Sequence, residues 1–154
     1  MQTRNINVTY GGQSFVGFDF SSLPLAAALT AAAMQIDQAA DQSRSAVLGD
    51  PLRAVEYRLT AEEAESFAAA GYAGEVPATV QAWMDAAGLD AHSATESILH
   101  ESHAWKGVIY AIRAERLKGK QDVLKATSHE QAEALADVAI AAIKACIQGV
   151  GNAT

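Results

Sequence analysis

Seven positions, Leu25, Leu29, Ala32, Ile36, Ala39, Ser43 and Ala46, recur at alternating spacings of four and three residues. That period keeps one face of an α-helix in register over more than twenty residues. Gln35, Asp37, Gln38, Asp41, Gln42 and Arg44 fall on the other faces. The seam is narrow and built mainly of small side chains, so whatever covers it must be another helix at close approach. Two partners satisfy that demand: another helix of the same chain, or the same helix of a second copy. Ser22-Leu23-Pro24 supplies a start for this helix, with Ser22 as N-cap and Pro24 in the first turn. Gly49-Asp50-Pro51 supplies its end.

The seam is one instance of a wider bias, since 34 of the 154 residues are Ala while only 6% are aromatic. Alanine favours helix but buries little area, so a helix-rich chain with a thin core is expected, one whose stability draws on partners. The length fits one domain, or one small domain with an appendage. A formal net charge of −7 argues against the broad basic footprint that nucleic acid requires. A single cysteine excludes an internal disulfide and a multi-thiolate zinc site. The most apolar stretch, residues 23–34, falls short of the roughly 20 residues that a bilayer demands. It also lacks an adjoining basic n-region, so a cytoplasmic chain without membrane partners is expected.

Ahead of the seam, residues 6–10 and 13–20 read as two strands around Gly11-Gly12, with Ile6, Val8 and Tyr10 alternating on one side. A lone hairpin is marginal in water, so these strands must pack on helices or join another chain's sheet. Beyond Pro51, Thr60-Ala61-Glu62-Glu63 has a capping-box pattern and predicts a short helix to Ala70, anchored by Phe67 and stopped by Gly71 and Gly74. Val76-Pro77 opens another, carrying Val80, Trp83 and Met84 and ending at Gly88. Ser93-Ala94-Thr95-Glu96 predicts the start of the longest helix, over 94–126. Its core stripe is Ile98, Trp105, Val108, Ile109, Ile112 and Val123, widened by Leu117 and Leu124. Gly107 and Gly119 inside it mark close packing or a kink. Thr127-Ser128-His129-Glu130 caps a last helix lined by Leu135, Val138, Ala139, Ala142, Ile143 and Cys146, which Gly149 and Gly151 end. These last two helices should form an antiparallel hairpin. The expected architecture is mainly α, with an N-terminal β-hairpin and long helix followed by a small helical bundle. Its expected parts are a docking or oligomerisation arm over 1–48 and a helical module over 49–154.

No constellation points firmly to chemistry. His92, Glu96, His100 and His103 share one side of the long helix in a spacing compatible with Zn²⁺, but that side opposes the apolar stripe, so a solvated face is the simpler reading. His100-Glu101-Ser102-His103 is one residue short of H-E-x-x-H, which removes the general-base glutamate. Cys146 sits among Ala and Ile, the setting of an inert thiol. Arg113, Arg116, Lys118, Lys120 and Lys125 form a basic run interleaved with Glu115 and Asp122, expected as a solvated face or a contact with an acidic neighbour. Phosphate-binding glycine loops and a nucleophile elbow are absent from the sequence. Trp83 and Trp105 read as core anchors. No catalytic residue and no cofactor is expected.

From Met34 onward a resemblance can be stated. Gln35-Ile36-Asp37-Gln38-Ala39-Ala40, Arg44, Val55-Glu56-Tyr57 and Glu63-Ala64-Glu65-Ser66-Phe67 carry its first part. Ala70-Gly71-Tyr72-Ala73-Gly74-Glu75-Val76-Pro77, Val80, Trp83, Ile98, Trp105 and Ile112-Arg113-Ala114-Glu115-Arg116-Leu117-Lys118-Gly119-Lys120 carry the rest. Over roughly residues 34–130 this pattern resembles a loose group of small tailed-bacteriophage proteins associated with tails or tail fibres. The resemblance is one of helix caps and core anchors and brings no catalytic residues. It implies a virion protein, present in the host cytoplasm during assembly, that contacts other tail or fibre proteins. A homo-oligomer is expected, a trimer formed along Leu25, Leu29, Ala32, Ile36, Ala39, Ser43 and Ala46. The alternative is a tail-fibre assembly chaperone that leaves before the particle matures.

Overall fold

A computed structural model describes residues 1–148, so the expected stops at Gly149 and Gly151 lie outside the described residues. The protein is mainly helical. Its elements are strands β1 (Ile6–Tyr10) and β2 (Gln13–Phe18), then helices α1 (Leu25–Leu48), α2 (Pro51–Ala69), α3 (Ala78–Ala87), α4 (Ala91–Leu124) and α5 (His129–Ala145). A 3-10 turn, Phe20–Ser22, links β2 to α1. These elements form two compact units. Among the described residues, one holds 1–47 together with 109–148, and the other holds 48–108. The expected division into 1–48 and 49–154 is therefore corrected: α5 and the second half of α4 belong with the N-terminal elements. The physical reason is that an alanine-lined helix and a two-stranded hairpin cannot bury enough area alone.

In the first unit, Gly11 and Gly12 both take positive φ, 58° and 79°, as the central residues of a tight antiparallel turn must. Tyr10 pairs with Gln13 and Val8 with Phe15, and an irregularity between Ile6 and Val8 brings Phe18 opposite Ile6. Ile6, Val8 and Phe15 are buried, whereas Tyr10, expected on the same face, lies exposed at the turn end. The Phe15 and Phe18 rings meet edge-on at 5.6 Å. The strands are tied to the unit's helices through the turn that follows them. The buried Phe20 ring packs edge-on against His129 of α5 at 5.8 Å, and the His129 ring hydrogen-bonds the Leu23 carbonyl through Nε2. Near the N-terminus the Gln2 backbone N–H donates to Gln35 Oε1, and the Gln35 amide donates back to the Gln2 carbonyl.

Helix α1 opens at the Pro24 carbonyl, which accepts from the Ala28 N–H. Ser22 lies within the preceding 3-10 turn, which corrects the expected cap. Ala27, Ala28, Ala31, Ala32, Ala33, Ile36, Ala39, Ala40 and Ser43 are buried, a wider arc than the seam alone. Gly119 of α4 explains how the other helices approach it. A methyl group at Gly119 would overlap Cβ of Ala139 on α5 and sit 3.6 Å from Ile36 Cδ1 on α1. Three helices thus converge on a position where only hydrogen fits. On α5 the buried line is Ala132, Ala136, Ala139 and Ile143, while Val138, expected on it, is 70% exposed. Ser128 is the N-cap, accepting from the Gln131 N–H, and Gln131 Oε1 accepts from the Thr127 N–H.

The second unit holds α2, α3 and the first half of α4. Asp50 caps α2 by accepting from the Leu52 N–H at 2.8 Å, and Pro51 occupies the first turn. The helix then continues through Thr60 to Ala69. This corrects the expected start at Thr60: both positions carry cap-forming residues, and the earlier one is used because no helix breaker separates them. At the C-terminal end the Gly71 N–H donates to the Ala68 carbonyl and the Tyr72 N–H to the Phe67 carbonyl, with the two rings edge-on at 5.9 Å. That is a Schellman closure with its apolar contact, and both Gly71 and Tyr72 take left-handed φ. Ala64, Val80 and Ala94 form the buried centre, with Val76, Met84, Ile98 and Leu99 packed around it. Glu63 Oε2 accepts from the Thr79 N–H and hydroxyl, satisfying the first turn of α3. Trp83, expected as an anchor, is 37% exposed, and Trp105 is half-buried against Tyr57.

Candidate functional site

The histidine face of α4 is held open to solvent. His92, Glu96, His100 and His103 are all exposed. Two of them are engaged by one aromatic ring: the Tyr72 hydroxyl donates to Glu96 Oε1 at 2.5 Å, and His92 lies over the Tyr72 ring at a centroid distance of 4.3 Å. Donating to Glu96 raises the tyrosine's pKa above its usual value, since ionisation would break that bond beside a carboxylate. Glu96 is therefore committed to a structural hydrogen bond. Among the described residues no group of three or more His, Cys, Asp or Glu side chains is arranged to hold a metal ion. Asp90, at the start of α4, accepts from the Ser93 N–H and hydroxyl, and those bonds lower its pKa. The cap therefore stands three residues before the expected Ser93.

The basic run is split by its environment. Arg116 and Lys120 both donate to Asp37 of α1, Arg116 at 2.9 Å. Burial would raise the Asp37 pKa, but the hydrogen bonds from Lys120 and Arg116 and their charges outweigh it, and the net shift is downward. Arg113, Lys118 and Lys125 are exposed. Cys146, half-buried, donates to the Ala142 carbonyl; burial and then the nearby Glu115 charge push its thiol upward. A protonated, partly covered thiol is a poor nucleophile.

The seam expected to dock partners is covered from within. Ala32, Ile36, Ala39 and Ser43 are buried by the chain itself, Leu25 and Leu29 are half-buried, and Ala46 alone is exposed. Of the two coverings left open by the sequence, the chain's own helices supply the one observed here, with Ala139 and Gly119 at its centre.

What the helices leave uncovered is apolar and lies elsewhere. On α2, Leu52 is 76% exposed, with Val55 and Leu59 exposed beside it. On α4, Tyr110 is 67% exposed, and Leu117 and Leu124 repeat it at seven-residue spacing. Leu117 and Leu124 were expected to widen the core stripe, and their exposure is a correction. The heptad spacing with Tyr110 was the available signal for a separate stripe. A stripe of large apolar side chains facing solvent is unusual beside alanine-lined cores and is the feature most suited to contact with another macromolecule.

No family model, curated protein or solved structure matches the chain.

Proposed function

We propose that this chain is a structural protein of a tailed-bacteriophage virion, a tail or tail-fibre-associated adaptor acting through protein–protein contacts and not through catalysis. The observation that carries the contact role is the pair of exposed apolar stripes on α2 and α4, set on helices whose opposite faces are packed. The phage setting rests on the resemblance carried by residues 34–130. With Ala32, Ile36, Ala39 and Ser43 buried within the chain, these stripes are the surfaces best suited to meet its partners, other tail or fibre proteins and further copies of the chain itself. The protein passes through the host cytoplasm and is retained in the particle.

The test is a mass-spectrometric inventory of purified, intact particles. The chain is expected there in a fixed ratio to the fibre protein. Its absence from particles overturns the reading, and absence combined with improved fibre solubility on co-expression assigns it the assembly-chaperone role instead.

A further inference from the structure

The two uncovered stripes differ in the charges beside them. On α4, Tyr110, Leu117 and Leu124 fall within about 40° of one another around the helix. Arg113 flanks them on one side and Lys118 and Lys125 on the other, while Glu115 and Asp122 lie more than about 100° from Tyr110. Arg113, Lys118 and Lys125 make no ion pair among the described residues. On α2, Leu52, Val55 and Leu59 fall within about 60° of one another, and the charges nearest them are Glu63, engaged by Thr79, and Glu56 on one side and Glu62 on the other, with Arg58 beyond it. Glu62 is shared with Arg58 at 3.0 Å, and Glu56 is unpaired among the described residues. One chain therefore carries an apolar stripe edged with cations and another edged with carboxylates.

We propose that these stripes are the two halves of a contact between copies of this chain, the α2 stripe of one molecule lying on the α4 stripe of the next. Charge decides the pairing. Two α4 stripes face to face would bring Arg113, Lys118 and Lys125 against their own equivalents, and two α2 stripes would oppose carboxylates. Only the unlike pairing joins apolar to apolar and cation to anion. Reach agrees: the α2 stripe is about 10 Å long and the α4 stripe about 21 Å, so the shorter fits along the longer. Because the two surfaces differ, pairing either closes in a reciprocal two-fold dimer, each α2 stripe on the other molecule's α4 stripe, or leaves a free face at each end and grows into a ring or a filament. This inference does not depend on the phage reading. Absence from particles would end that reading alone, whereas a purified chain that stays monomeric would end this one alone.

Sedimentation velocity over a concentration series tests it with Val55→Asp and Leu117→Asp, each of which spoils one stripe at an exposed position. Wild-type mass is expected to rise to two chains or more with concentration and to fall back at high salt. Either variant alone is expected to stay monomeric, and an equimolar mixture to stop at two chains, because each still offers the face the other lacks. Arg113→Glu and Glu56→Lys should each weaken association and, combined in one chain, restore it; circular dichroism confirms that all four remain helical. The proposal is overturned by a wild type that is monomeric throughout, by a single variant that still associates, or by a mixture that does not pair. A monomeric wild type that binds vesicles of anionic phospholipid through the α4 stripe likewise overturns it and assigns that stripe to a membrane.

Discussion

Gly119 offers the sharpest measurement of how the first unit is packed. Replacing it with Ala inserts one methyl into a place where Cβ of Ala139 already lies, with Ile36 Cδ1 at 3.6 Å behind it. Ala139 Cβ is fixed to the α5 backbone and cannot rotate aside, so α4 and α5 must separate. Overpacking of this kind costs about 1–3 kcal/mol. Against it stands a helix-propensity gain of about 1 kcal/mol for Gly→Ala. The net expectation is a loss of up to about 2 kcal/mol, which lowers Tm by up to about 8 °C in a chain of this length. Gly107, on the same helix, has nothing within 4 Å of the added methyl, so Gly107→Ala keeps only the propensity term and should stabilise by about 0.5–1 kcal/mol. Urea unfolding followed by circular dichroism reads both, with unfolding of the two units fitted separately if the transitions resolve. Ala139→Gly in the Gly119→Ala background should recover more than about 1 kcal/mol relative to the sum of the single changes. Gly119→Ala at or above wild-type stability, or no coupling to Ala139, would refute the claim that the helices meet there.

Three further outcomes follow from the local chemistry. Asp37 has a folded pKa below its unfolded value, so its stabilising effect is present above about pH 4 and lost as pH falls through the folded pKa; acid unfolding of Asp37→Asn should start from lower stability and show a shallower pH slope than wild type. Removing the α5 cap with Ser128→Ala should cost about 1 kcal/mol in the same unfolding assay, and Ser128→Asp should retain most of the stability. Cys146 should react with iodoacetamide more slowly than free glutathione at neutral pH, because its pKa is raised; reaction as fast as glutathione would contradict the burial that raises it.

Features decided by near neighbours in the chain were legible in the sequence. Gly11-Gly12 dictated the hairpin because its turn requires two positive φ values in succession, and Ser128 dictated the start of α5 because a hydroxyl three residues before an N–H can satisfy it. Local signals were less decisive where two competed. Thr60 promised a helix start while Gly49-Asp50-Pro51 read only as a break, yet Asp50 caps α2 and the continuous helix from Pro51 left Thr60 with no cap to form. Around a helix, periodicity showed which residues share a side but not which sides another helix would cover. Leu117 and Leu124 were therefore assigned to the core although they face solvent, and Trp83 to an anchor although it lies partly exposed.

By itself, then, the amino-acid sequence determined the helical class, the N-terminal hairpin and the close-packing character of the Leu25–Ala46 seam, since backbone sterics, capping and side-chain size act within a few residues. Tertiary structure alone decided what fills that seam. Residues 109–145 return to the N-terminal elements, α5 seats Ala139 against Gly119 beside Ile36, and the Leu52 and Tyr110 stripes are left facing water. The reason is physical: burial depends on which distant surface arrives, and an alanine-lined helix accepts any neighbour able to come close enough.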